Sequence, residues 1–120
     1  MEIIIKAKDH VHVLSMCGKL DLANSAKLKE SVKSLLDKEH NLIHLDMKEV
    51  DFINSSGLGV MVSIMKKIRV QKGRMTLSNL APYVNEIFEI TQLSHVFEIF
   101  PTAEEAITSY QTVRTSVLNN

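Results

Sequence analysis

Asn54-Ser55-Ser56-Gly57 is the stretch where this sequence could do chemistry. It separates the apolar pair Phe52-Ile53 from a run in which Leu58, Met61, Met65 and Ile68 recur at helical spacing. A strand-to-helix junction of this kind has two uses. Asn and Ser side chains cap a helix by accepting bonds from its free backbone N–H groups. The same free N–H groups and the helix dipole favour negative charge. A phosphate on Ser55 would therefore be tolerated by the fold. It would add about −1.5 to −2 charge to the surface, which makes a switch read by a partner.

Other chemistries are poorly served. Gly57-Leu58-Gly59 looks like half of a dinucleotide-binding motif, but Val62 stands where the third glycine belongs, and no P-loop lysine follows. Neither Ser55 nor Ser56 has a glycine two residues before it, so no serine-hydrolase elbow is present. His10, His12, His40, His44 and His95 show no metal-ligand spacing and are expected at the surface or at strand edges. Cys17 is expected as inert packing in an apolar strand, and a lone cysteine excludes an internal disulfide. No metal, cofactor or catalytic constellation is expected, and the protein reads as a non-enzyme.

The elements that must position Ser55 follow from periodicity. Glu2–Lys8 is rich in Ile and reads as a strand. Asp9-His10 turns it into a second strand that ends at Gly18. Asp21 or Asn24 can cap a helix running to Lys38, with Ala23, Ala26, Leu28, Val32, Leu35 and Leu36 on its apolar face. Leu42–Met47 alternates as a strand, with Ile43, Leu45 and Met47 on one side and His44 and Asp46 on the other. After the helix that Ser55 opens, Lys72-Gly73-Arg74 is a turn and Met75–Leu77 a short strand. Pro82 starts a third helix ending near Ile90. Val96–Phe100 is a last strand, and Thr102 with Glu105 forms a capping box for a fourth helix. The order β-β-α-β-α-β-α-β-α predicts an α/β domain. Its sheet of about five strands is mixed and mostly parallel, packed with about four helices. Residues 1–113 make that domain, and 114–120 are expected as a flexible tail.

Composition bounds the partners. The 120 residues carry 14 Lys+Arg and 14 Asp+Glu, so net charge is zero. That excludes a protein built mainly to grip nucleic acid or an anionic membrane. No apolar run is long enough to span a bilayer and the N-terminus has no secretory pattern, so a cytoplasmic protein is expected. The charge is nonetheless uneven. Lys66, Lys67, Arg69, Lys72 and Arg74 form a basic cluster without an acid, read as a solvated helix face and turn. Residues 51–65 hold one charge, Asp51.

The ordered set of motifs resembles the STAS domain of bacterial anti-sigma factor antagonists. The stretch from Asp51 to Val60 is similar to that family's signature loop and helix start, and Gly18-Lys-Leu-Asp21 to its Gly-x-Leu-Asp. Asn41–Met47 is similar to the family's central strand. Gly73–Leu77 and Pro82 resemble its next strand and helix start. The resemblance covers roughly residues 2–110. It implies a serine, Ser55, phosphorylated by a serine kinase that doubles as an anti-sigma factor. Asp21, Asn54, Ser56, Gly57 and Leu58 would form the partner surface around it. It further implies that the unphosphorylated protein binds the kinase, that phosphorylation ends the binding, and that a metal-dependent serine phosphatase restores it. The alternative is a constitutive STAS scaffold or accessory subunit in a signalling assembly or lipid transport, with no phosphorylation switch. One position departs from the family pattern: Asn54 stands where the family usually has Asp.

Overall fold

The computed structural model describes the backbone of residues 2–119 and the side chains of residues 2–111. The expected tail, 114–120, lies outside the residues described in full. The chain runs β1 (Glu2–Lys8), β2 (Val11–Leu20), α1 (Leu22–Asp37), β3 (Leu42–Ile53), α2 (Ser55–Val70) and β4 (Arg74–Ser78). It continues as α3 (Pro82–Ile90), a 3-10 turn (Leu93–His95), β5 (Glu98–Phe100) and α4 (Ala103–Asn119). The sheet order is β1-β2-β3-β4-β5. β1 is antiparallel to β2, and the pairs β2/β3, β3/β4 and β4/β5 are parallel. This is the mixed, mostly parallel five-stranded sheet with four helices that the sequence predicts.

Local chemistry explains the element ends. Asp9 and His10 both take positive φ, 52° and 70°, the backbone that a two-residue hairpin turn requires. Asp21 caps α1 by accepting a bond from the Asn24 amide at 3.1 Å, so the choice between Asp21 and Asn24 falls to Asp21. Pro82 occupies the first turn of α3, where its missing N–H costs nothing. The Glu105 amide donates to the Thr102 hydroxyl at 3.2 Å, as the capping box predicts.

The core is built from Leu14, Met16 and Leu20 of β2, Ile43, Leu45 and Met47 of β3, and Leu77 of β4. Leu28 and Val32 of α1 and Met61, Ile64 and Ile68 of α2 close over them. Several sequence expectations shift. β3 extends to Ile53, beyond the alternating segment, because register shifts against β2 at Ser15/Cys17 and Gly18/Lys19 absorb the break in alternation. β5 is only three residues long: Leu93–His95 form the 3-10 turn, and Val96 and Phe97 lie between that turn and the strand. On α1, Ala23 and Ala26 are exposed and Ser25 is buried in their place. The face turned inward is the one continuing through Leu28, Val32, Leu35 and Leu36.

Two single residues correct the sequence reading. Cys17 is exposed rather than packed inside, because it follows Met16 on the opposite side of an alternating strand. His44 is fully buried rather than at the surface. The reverse side of the central strand is itself covered, by a polar layer tied to α4. The Tyr110 hydroxyl of α4 lies 3.1 Å from Thr76 Oγ1 and donates to the Ile43 carbonyl at 2.7 Å. Alternation separates His44 from Ile43 and Leu45 correctly, but it cannot reveal that both faces are covered.

Candidate functional site

Two helix N-termini come together at one end of the sheet. α1 starts directly after β2, and α2 directly after β3. Because β2 and β3 are parallel neighbours, their C-terminal ends lie side by side, and so do the helix starts that follow. The contact between them is close. The Asn54 amide approaches the Leu20 carbonyl at 3.4 Å. A Cβ on Gly57 would fall 2.3 Å from the same carbonyl oxygen and 2.9 Å from Ile53 Cγ1. Gly57 is therefore the residue that lets the first turn of α2 rest on the end of β2.

Asn54 is the cap of α2. Its backbone is extended (φ −116°, ψ −174°), and its side-chain oxygen accepts from the Gly57 amide at 3.1 Å. Ser55 is the first residue of the helix and is exposed. Its hydroxyl is thus not spent on capping, which Asn54 carries out. Ser56 and Leu58 are half-buried beside it, whereas Gly57 is buried and contributes packing beneath the surface. The first turn of α2 holds no acidic residue. Added negative charge on Ser55 would meet a helix N-terminus with no like charge in that turn.

Of the six residues the sequence singles out, Asp21, Asn54, Ser55 and Gly57 lie on these two adjoining helix starts, with Ser56 and Leu58 next in line. Sequence reasoning missed three neighbours. Leu22, just after the Asp21 cap, is 73% exposed. Lys19 sits with its ammonium 5.7 Å from the centre of the Phe52 ring, and the two are paired across β2 and β3. An apolar residue directly after a cap and off the buried helical face is the signal that would have marked Leu22.

The basic cluster divides. Lys66, Lys67, Arg69 and Lys72 are exposed, as expected. Arg74 is not part of that solvated face: it is half-buried, grips the Glu98 carboxylate through two bonds of 2.8 and 2.7 Å, and lies over the Tyr110 ring. That carboxylate raises the Arg74 pKa, and the guanidinium holds Glu98 below the usual carboxylate range. At about 1.5 Å per residue, Lys66 lies roughly 16 Å along α2 from Ser55, so the cluster is a separate patch.

The titratable groups that deviate from ordinary behaviour are away from Ser55. His44 Nδ1 lies 2.7 Å from Thr76 Oγ1 and Nε2 lies 2.7 Å from Ser78 Oγ. Burial lowers its pKa from 6.5 to about 4. Burial likewise pushes Tyr110 up to about 12. His12 stacks on His40 with ring centres 4.3 Å apart. Its pKa is lowered by burial, then by the charges of His40 and Lys38. Among the described residues, no three His, Cys, Asp or Glu side chains converge as a metal site. No helix among them is long and apolar enough to cross a membrane.

Fold and site together define a small α/β domain that presents a serine at a helix start. Comparison with known proteins makes this specific. The STAS domain model matches residues 2–106. An anti-sigma-B factor antagonist of Listeria monocytogenes is 33% identical over 100 residues, which cover 82% of this chain and 88% of that one. A solved Thermotoga maritima protein superposes with a TM-score of 0.85 at 30% identity, covering 89% of this chain and 92% of its own. The Bacillus anti-sigma factor antagonist SpoIIAA, solved in unphosphorylated and phosphorylated forms, shares the fold. Both comparisons give TM-scores of 0.72, at 19% and 21% identity, covering 94% and 91% of this chain and 98% and 99% of SpoIIAA. The chain belongs to the STAS domain family, among the anti-sigma factor antagonists.

Proposed function

We propose that this protein is a partner-switching regulator whose state is written on Ser55. Unphosphorylated, it binds an anti-sigma factor that is also a serine kinase, and so frees that factor's other client. The kinase phosphorylates Ser55 and the complex separates. A metal-dependent serine phosphatase resets the protein, which works in the cytoplasm and catalyses nothing itself. The observation that carries this reading is the division of labour at the α2 start. Asn54 makes the cap, and the exposed Ser55 hydroxyl beside it remains available to a kinase. Support also comes from SpoIIAA, a protein of the same fold that exists in both phosphorylated and unphosphorylated forms.

The physical basis of release is desolvation. Residues 51–65 carry one charge, Asp51, so the segment that presents Ser55 is nearly neutral and suited to burial against a partner. A phosphate of about −1.5 to −2 charge in that contact must be stripped of water or matched by cations. Asp21, Leu22, Ser56 and Leu58 frame the contact, and Gly57 sets the height of Ser55 above it.

The test is copurification from native cells with phosphosite mapping, followed by binding measurements on the captured kinase. Phosphate is expected on Ser55. Ser55→Ala is expected to keep binding and to take no phosphate. Ser55→Asp is expected to bind at least about tenfold more weakly, the loss typical of one unpaired charge in a contact. Binding of Ser55→Asp as tight as that of the wild type would rule out the switch and leave a constitutive scaffold.

A further inference from the structure

The two edges of the sheet are unlike. β5 is three residues long, which is one way to blunt an edge. β1 is seven residues long, Glu2-Ile-Ile-Ile-Lys-Ala-Lys8, with no proline and an unbroken register along β2. Among the described residues no strand pairs with its outer backbone groups. Ile4 is 55% exposed and Ile5 41%. An apolar edge of this length is a template for another strand.

From this edge we infer that β1 pairs with β1 of a second copy of this chain, antiparallel, about a two-fold axis through Ile5. The strand is complementary to its own reverse. With Ile5 opposite Ile5 of the second copy, Ile4 meets Lys6, Ile3 meets Ala7 and Glu2 meets Lys8. Strand alternation then sorts these pairs by face. On one face lie Ile3–Ala7, Ile5–Ile5 and Ala7–Ile3, all apolar. This is the face on which Ile3 packs against the core, so the pairing extends the core across the axis. On the other face two Glu2–Lys8 ion pairs flank the Ile4–Lys6 contacts, where the stem of Lys6 covers the exposed Ile4. Opposite charges across an antiparallel pair are favourable and like charges are not, so the register is specified by Glu2 and Lys8. All seven residues are paired, and the two sheets become one of ten strands.

The dimer leaves the Ser55 surface free. β1 is the sheet's outer strand, whereas Ser55 follows β3, with β2 lying between them. Each assembly would carry two Ser55 surfaces. The interface is small, so association depends on protein concentration.

The test is sedimentation over a range of protein concentrations, together with a charge swap and a cross-link. The wild-type mass is expected to rise toward twice the 13.5 kDa of the chain. Glu2→Lys alone and Lys8→Glu alone are each expected to weaken association about tenfold, because each creates two like-charge pairs. The double variant is expected to restore it. In a Cys17→Ser background, Ile5→Cys is expected to form a disulfide-linked dimer on mild oxidation. All these positions are exposed, and circular dichroism should show unchanged folding. A wild-type protein that stays monomeric at every concentration would overturn the proposal. So would a charge swap that restores nothing, or failure of Ile5→Cys to cross-link.

Discussion

Gly57 and Gly59 are two residues apart in one helix, and they should respond to the same substitution with opposite signs. An alanine at 57 places its Cβ 2.3 Å from the Leu20 carbonyl oxygen, 2.9 Å from Ile53 Cγ1 and 3.1 Å from Leu20 Cγ. The nearest of these is backbone at the end of β2, which cannot swing aside as a side-chain tip would. The first turn of α2 must lift from the sheet or the strand end must move, at a cost of about 1–3 kcal/mol typical of overpacking. Improved helix propensity returns less than about 1 kcal/mol of that. At Gly59 nothing lies within 4 Å of the added methyl. The propensity gain is then unopposed, and Gly59→Ala should stabilise by about 0.5–1 kcal/mol. Urea unfolding at fixed pH measures both. The expected result is a lower midpoint for Gly57→Ala, a higher one for Gly59→Ala and unchanged slopes. If Gly57→Ala were as stable as the wild type, the close approach of α2 to Leu20 would be wrong. If Gly59→Ala were destabilised to the same degree, the open environment assigned to that position would be wrong.

The same helix start and the buried histidine respond to other substitutions and to pH. Asn54→Ala removes the 3.1 Å bond to the Gly57 amide and should cost about 1 kcal/mol, read as a lower melting temperature. Asn54→Asp keeps the acceptor and places a negative charge at a helix N-terminus, so it should melt about 1–4 °C higher; a lower melting temperature would contradict the capping geometry. His44 makes stability depend on pH. Its pKa falls from 6.5 in the unfolded chain to about 4 in the fold, so below 6.5 the unfolded state takes up a proton that the folded state refuses. Its contribution is complete above pH 6.5 and is lost as pH falls toward 4, by up to about 3 kcal/mol. Nuclear magnetic resonance titration of the His44 ring should show no protonation down to about pH 5, and titration near 6.5 would refute its burial. The loss of kinase binding in Ser55→Asp and the charge-swap rescue of the β1 dimer complete the set.

Much of the fold is legible in the sequence because it rests on local chemistry. The β-branched run of β1, the Asp9-His10 turn, Pro82 at the start of α3 and the Thr102–Glu105 box each carry their own signal. Each is where the sequence predicts it. Ser55 is legible too, since Asn-Ser-Ser-Gly between an apolar pair and a helical repeat can be little other than a helix start. Two of the errors share one cause. His44 and Arg74 cannot be placed by residue type, because their environment comes from a segment distant in the chain. His44 is buried because Thr76 and Ser78 of β4 bond its ring and Tyr110 of α4 closes that polar layer, and Arg74 leaves the basic cluster because Glu98 is opposite it on the sheet.

The sequence alone therefore determined which elements form, in what order, and which hydroxyl stands at the start of α2, because capping, turn chemistry and periodicity act within a few residues. Only the tertiary structure decided that Asn54, not a serine, makes the cap, and that Gly57 rests on Leu20 while Gly59 faces open space. It also decided that Asp21 and Ser55 share one end of the sheet. The seat of Gly57 on Leu20 and the nearness of Asp21 to Ser55 depend on parallel β2 and β3 ending together, a contact between segments more than thirty residues apart that no local pattern encodes.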